Sequence, residues 1–414
     1  MRNITVLIFA ATATAAGAQS PIPIRTIGPI LATSTENVGQ AVTIRATSDG
    51  HVIVGAGARQ KVYAFDSTLK SFTIVVDSGA GTGQIPIRTT GVIPYLADST
   101  LLPDFSANAL LVLDATGKQI RSMAPPRAQD LMFLGIPAAF GRPGFDQKGR
   151  LIYRTQAPPN VRPTPTASGD QKVEMMPVNP DSSPIVRGDF DTRRIDTVAW
   201  LKTPSQGRMA MDIKQNPAGG PPSLTMRMQI NPFPMSDEWS LLSDGTIAIV
   251  RAHDYHIDWI DPDGSRRASP KMPIEWRRYT DDERRQRVDS MRKVADEQIK
   301  RQLSAAGAGG LQIKMDVGIV PDSEFPTFWP PIQPGTVLAD LEGHLWILPT
   351  TSTNVVNGLT YDVVNRNGEV IERVQLPKDH VLVGFGPRNV VYLTKADGKA
   401  TYLERAMLTG PPKS

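Results

Sequence analysis

The 414-residue chain contains no cysteine. That absence excludes disulfides, thiolate metal sites and cysteine nucleophiles together, and leaves packing alone to hold the fold. Histidine is nearly as scarce, at five residues, so a histidine-built metal centre has few candidate ligands. Beyond the first twenty residues no apolar run is long enough to span a bilayer. No G-x-S-x-G elbow and no G-x-x-x-x-G-K-S/T loop occurs; "GAGTGQ" (Gly79 to Gln84) lacks the lysine and reads as a loop. The formal net charge of +4 is small and its acids and bases are interleaved, so no nucleic-acid stripe is expected.

Glycine (34) and proline (36) together make about one residue in six, which favours many turns over many helices. The first residues stand apart. "MRNITVLIFAATATAAGAQS" has one positive charge at Arg2, an apolar centre from Ile4 to Phe9 and small residues at Ala16-Gly17-Ala18. This is the pattern of a signal peptide, residues 1–18, cleaved after Ala18 to leave a mature domain 19–414 in the periplasm or outside the cell.

Within the mature chain one phrase keeps returning. "TSDGHVIV", "LADSTLLP", "FDQKGRLIYR", "LSDGTIAIVR", "DLEGHLWIL" and "GPRNVVYL" each place a polar turn before a short strand. Counted from His51, Thr100, Arg150, Thr246, His344 and Asn389, the spacings are 49, 50, 96, 98 and 45. A repeat of roughly 40 to 50 residues points to propeller blades. Second phrases such as "IDPDGSRRAS" and "VNRNGEVIERV" follow fifteen to twenty residues later. Each unit thus reads as strands A to D joined by tight Asp/Asn-Gly turns. The spacing predicts an all-β fold, a six-bladed β-propeller with four-stranded blades. The last blade shows three strands, and "PIPIRTIGPI" near the N-terminus is expected to supply the fourth and close the ring. A seventh blade, drawn from the alternating segments "RMAMDIKQ" and "SLTMRMQI", is the alternative. The phrases "SDEWSLLSDGTIAIVRAHDYHIDWIDPDG" and "LADLEGHLWIL" resemble exported bacterial six-bladed propellers of the NHL and TolB-like group. The resemblance implies the fold and leaves the activity open.

In a propeller the A–B and C–D turns share one end, and the B–C and D–A connections share the other. The long excursions, 157–184, 206–234 and 271–334, all fall in the second class, so one end is plain and the other elaborated. Ligands are expected at the elaborated end, on loops held by a rigid scaffold. The third excursion carries one helix, Thr280 to Leu303. Thr280 and Glu283 form a capping box, and Val288, Met291, Ala295, Ile299 and Leu303 make its apolar stripe. It is expected either to lie along the rim or to act as a lid.

Arg251, Tyr255, Trp239 and Trp329 lie on or beside these connections and are the expected ligand-binding residues, since aromatics near arginine hold sugars, peptides or flat ligands. His51 and His344 sit at equivalent turns on the plain end, while alternation sends His253 and His256 to opposite sides of a strand. No cofactor is predicted, although a channel site for calcium or zinc stays open. Two functions fit: a monomeric binding or scaffold protein for a small molecule, sugar, peptide or protein, or a metal-dependent lactonase-like or amidating-lyase-like enzyme. The first is preferred because convergent metal ligands are not visible in the sequence.

Export is testable directly. Mass spectrometry of the protein from its native cell envelope should find Gln19 at the N-terminus, and an intact Met1 in that fraction would refute cleavage after Ala18.

Overall fold

The computed structural model describes residues 22–40, 42–77, 91–157, 160–165, 171–176, 178–179, 181–204, 209–214, 223–306, 312–354 and 358–410. The expected signal segment 1–18 and the loop at Gly79 to Gln84 fall outside them. Strand β1 (Ile24–Asn37) comes first. A four-stranded antiparallel meander follows in β2 (Val42–Ala46), β3 (Val52–Ala56), β4 (Lys61–Phe65) and β5 (Phe72–Asp77). The plan repeats in β6 (Ile93–Pro94), β7 (Thr100–Asp104), β8 (Ala109–Leu113) and β9 (Gln119–Met123).

A third meander begins with β10 (Gly144–Phe145) and β11 (Leu151–Arg154), and leaves the sheet for β12 (Asn160–Pro165) and β13 (Gln171–Met176). It returns in β14 (Ser182–Gly188) and β15 (Ile195–Lys202). After β16 (Met209–Lys214) and β17 (Ser223–Ile230) comes a fourth, β18 (Glu238–Leu241), β19 (Ile247–Arg251), β20 (His256–Ile260) and β21 (Arg266–Ala268). The long helix Asp281–Ala306 and β22 (Gln312–Ile319) precede β23 (Ile332–Ala339), β24 (Leu345–Pro349), β25 (Thr360–Val364) and β26 (Val370–Gln375). The chain ends in β27 (His380–Gly386), β28 (Val390–Asp397) and β29 (Ala400–Leu408). Among the described residues no helix is long and apolar enough to cross a membrane.

The tight turns follow from side-chain chemistry. Asp114, Asp146, Asp340 and Asn365 each accept, through Oδ1, the backbone N–H groups two and four residues on, at 2.8 to 3.1 Å. Three residues after each stands a glycine with positive φ: Gly117 at 86°, Gly149 at 74°, Gly343 at 91° and Gly368 at 81°. A short acceptor at the first position and no Cβ at the fourth is what this hairpin requires.

Burial grades across each meander. Every residue of β3, β7 and β24 is buried, whereas β9 and β21 are almost wholly exposed. The apolar side chains pack between neighbouring meanders. Ile53 and Val62 meet Leu102 and Leu111, then Leu101 and Val112 meet Tyr153 and Val186. Ile152 and Leu201 meet Trp239 and Ile249, then Val250 and Trp259 meet Leu345 and Val364. Trp346 and Val374 meet Leu382 and Ala406, and Tyr392 and Leu403 meet Val54 and Tyr63 of the first meander. The last contact returns to the first meander, so the sheets stack radially into a closed β-propeller.

Closure is made by β1. Its Ile27–Asn37 stretch runs antiparallel to β29, with Ile27 opposite Leu408 and Thr33 opposite Glu404, and so completes the sheet that otherwise ends on three strands. Its first residues, Ile24 to Thr26, lie parallel to β26, which joins the last two meanders into one eight-stranded sheet. Arg25 fixes the corner with an ion pair to Glu372 at 2.5 Å.

The excursions do more than decorate one end. β12, β13, β16, β17 and β22 form a sheet of their own in that order, so strands from three separate insertions pair with one another. β16 and β17, the material considered for a further blade, are bonded to β13 and β22 instead. The excursion expected at 157–184 ends earlier, because Ser182 to Pro184 already pair with β15. The helix starts with the expected capping box: Glu283 N–H donates to Thr280 Oγ1 at 3.2 Å, and Thr280 N–H donates to Glu283 Oε2 at 3.0 Å. Val288, Met291 and Ala295 are half-buried on its inner side, and the side chains of Ile299 and Leu303 fall outside the described residues.

Deleting Pro21 to Ile30 should strip the edge of β29, and the protein should lose solubility or melt more than about 5 °C lower. Gly28→Val should act the same way more mildly, since a Cβ at Gly28 would stand 2.7 Å from the Met407 carbonyl oxygen. Unchanged melting of both variants would argue against closure through β1.

Candidate functional site

The inner strands β2, β6, β10, β18, β23 and β27 surround a central channel. Two cavities open along it among the described residues. One, of about 400 Å³, opens among Arg45, Tyr95, Leu242 and Asp340, at the end of the tight A–B turns. The other, of about 450 Å³, opens among Gln40, Gly141, Glu238, Gly335 and Asp379, where the inner strands begin and the excursions leave. Thr43, Pro137, Arg142, Ser240 and Leu338 line both, and so form the waist between them.

Arg142 stands out at this waist. It lies in the loop that enters β10, after the helical turn Pro137–Phe140, and it is half-buried. Among the described residues no carboxylate lies within ion-pair distance of its guanidinium and no hydrogen bond engages it. Its one charged or titratable neighbour of consequence is the buried phenol of Tyr361. Burial pulls the Arg142 pKa down to about 10, which leaves it cationic at neutral pH. The other central arginines are occupied. Arg154 donates to Ser183 Oγ at 2.7 Å and to the Ala139 carbonyl at 3.2 Å, with its guanidinium 5.7 Å from the Phe140 ring centre.

Glu238, at the start of β18, lines the same mouth and is 5 % exposed. Its Oε2 accepts the Gly335 N–H at 2.9 Å. Burial raises its carboxyl to about 7, against the opposing pull of that hydrogen bond and of Arg154, and neighbouring Asp237 adds to the rise. An unpaired cation and a carboxyl that titrates near neutrality therefore line one cavity, and both together can bind and protonate an anionic guest.

The four residues expected at the site are dispersed. Trp239 does reach the cavity wall, but it is 2 % exposed and its Nε1–H is committed to the Phe140 carbonyl at 2.9 Å. Arg251 is held by Asp237 at 2.6 Å and Asp258 at 2.7 Å, beside a separate surface hollow. Tyr255 is 2 % exposed and packs in the core between the fourth and fifth meanders, with φ at 45°. Trp329 stacks on Tyr279 with ring centres 4.8 Å apart, and Arg277 covers it at 4.7 Å. Among the described residues none of the long helix lines either cavity; Arg284 and Arg287 tie it to the carbonyls of Pro326 and Pro232 instead.

The histidines are likewise apart. His51 binds Asp49, His344 binds Asp340, and His256 sits between Asp254 and Asp258. His380 is buried against Glu404 at 2.9 Å, and His253 is exposed. Among the described residues no group of three or more His, Asp or Glu side chains converges on a point where a metal could sit. Arg142 and Glu238 escaped the sequence reading. The available signal was a charge at the entry of an inner strand, in "FGRPGF" and "SDEWSL", a pattern that Asp379 before β27 shares.

No family model and no curated protein matches the sequence. The chain is similar in structure to a streptogramin B lyase at 10% identity and a TM-score of 0.41, over 90% of this chain and 97% of that one. It is also similar to a gluconolactonase from Xanthomonas campestris at 9% identity and a TM-score of 0.40, over 94% and 99%. A member of the DUF4221 family from Bacteroides vulgatus stands at 10% identity and 0.40, over 93% and 96%.

The state of Glu238 has a thermodynamic signature. The folded protein keeps the proton up to about pH 7, whereas the unfolded chain releases it near 4.5. Between these values the folded state binds more protons, so stability should fall as pH rises, by at most roughly 1.4 kcal/mol per unit. Urea unfolding at several pH values should show this slope in the parent and a flatter one in Glu238→Gln. Equal slopes would mean that Glu238 titrates normally.

Proposed function

We propose that this protein is a six-bladed β-propeller that binds a small anionic molecule in its central channel, admitted from the end that carries the insertions. The unpaired Arg142 at the channel waist carries this reading. A buried or half-buried guanidinium is normally matched by a carboxylate, and a carboxylate or phosphate on a ligand would supply the missing partner in a bidentate fork. The radial count of packed meanders supports six blades. The signal-like segment 1–18 supports export; the binding protein acts as a monomer, with Trp239 as part of the wall.

A second reading is favoured by Glu238. A carboxyl that is protonated near neutral pH, in the same cavity as a cation, is suited to act as a general acid or base on a bound anion. In that case Glu238→Gln would retain binding and lose turnover.

Thermal-shift titration with inorganic phosphate and a series of small mono- and dicarboxylates tests the binding. At least one anion should stabilise the parent saturably, and Arg142→Gln should weaken it by tenfold or more, the loss of one charge-assisted bidentate contact. Neutral sugars should do nothing. The proposal fails if no anion stabilises the parent, or if Arg142→Gln responds equally.

A further inference from the structure

Seven of the chain's 14 methionines lie in β13, β16, β17 and β22, strands of the sheet that the insertions build. The register aligns them. Met211 is directly opposite Met226, Met226 is opposite Met315 on the far side, and Met175 is opposite Met209. Directly opposed residues share a face, with Cβ atoms about 4.5–5.5 Å apart, and diagonal neighbours stay within reach of long side chains. Met228 is two residues beyond Met226 and so falls on that face as well.

The remainder of this face is apolar apart from Gln171, opposite Ile213 at its edge. Val173 opposes Met211, Leu224 opposes Ile213, and Val317 opposes Met228. The charged residues Lys172, Glu174, Asp212, Arg227 and Asp316 alternate onto the other face. Met211, Met226 and Met228 are each half-buried, and none belongs to the hydrophobic core clusters of the propeller. Methionine used as core filler is normally enclosed; these three stay partly accessible and stand side by side in register on one face.

We propose that this face is a binding site for a soft monovalent metal ion, Cu(I) or Ag(I), held by the thioethers of Met211, Met226 and Met228. Thioether sulfur is a neutral, polarisable ligand that prefers soft cations. The face offers no carboxylate or imidazole to offset a second positive charge. The cost of placing an ion among apolar groups rises with the square of its charge, so zinc, calcium and Cu(II) are disfavoured. The chain's lack of cysteine removes the competing thiolate. This site is independent of the channel and of its anion.

Ag(I) serves as a probe that needs no reductant. Titration of the full mature chain, followed by isothermal calorimetry and competition with a chromogenic chelator, should show tight binding of at least one ion. The near-isosteric triple variant Met211→Leu/Met226→Leu/Met228→Leu should keep its circular dichroism and melting temperature and bind at least tenfold more weakly. Met132→Leu, an exposed methionine elsewhere at 49 % accessibility, should bind as the parent does. Cu(I) under anaerobic conditions should displace Ag(I), and Zn(II) should not. The proposal is overturned if the parent binds no Ag(I), or if the triple variant binds as the parent does. It is also overturned if Met132→Leu weakens binding as much.

Discussion

Everything in this molecule depends on the pairing of its first strand with its last. A row of meanders stacked by apolar contacts has two raw ends, and each end offers unpaired backbone groups and an uncovered face. The antiparallel register of β1 on β29 removes one edge, and the packing of Tyr392 and Leu403 against Val54 and Tyr63 covers the face. The central channel exists only because the ring is shut. So does the waist in which Arg142 is set, since its walls come from residues as distant as Thr43 and Leu338.

The channel chemistry follows from that enclosure. At the surface an arginine recruits water or a passing carboxylate, and a glutamate stays ionised. Between inner strands burial disfavours both charges, and among the described residues no carboxylate comes within ion-pair distance of Arg142, so its guanidinium keeps unspent hydrogen-bonding capacity and the carboxyl of Glu238 retains its proton to higher pH. Nearby, Asp237 has partners on both of its carboxylate oxygens. It accepts the N–H groups of Lys202 and Ala252 and the guanidinium of Arg251, so its burial is fully compensated and it serves structure alone.

Much of the fold was legible in the sequence because its determinants are local. The Asp-x-x-Gly turns, the period-two strands between them and the capping box at Thr280 each need only a few neighbouring residues. The missing fourth strand could be sought at the other terminus because a sheet edge must be paired. The site was less legible. Tyr255 and Trp239 look like rim aromatics in a linear reading, yet their neighbours are strands of the adjoining meanders, and both are buried. Arg142 and Glu238 gain their character from what does not surround them, which no window of sequence displays. The insertion sheet was hidden for the same reason, since each of its strands finds a partner in another excursion.

That sheet has a consequence for how the protein is made. The parallel ladder from Ser223 on Gln312 to Ile230 on Ile319 joins segments separated by a whole meander and the long helix. Such a ladder carries a large loop-closure entropy and cannot form until the fourth meander and the helix have been synthesised. The meanders, made of hairpins between neighbours, can fold as they appear. The methionine-bearing sheet is therefore expected among the last units to assemble and, by the same reasoning, among the first to open. The protein should possess a late-folding, separately exchanging unit bolted onto an early-folding ring.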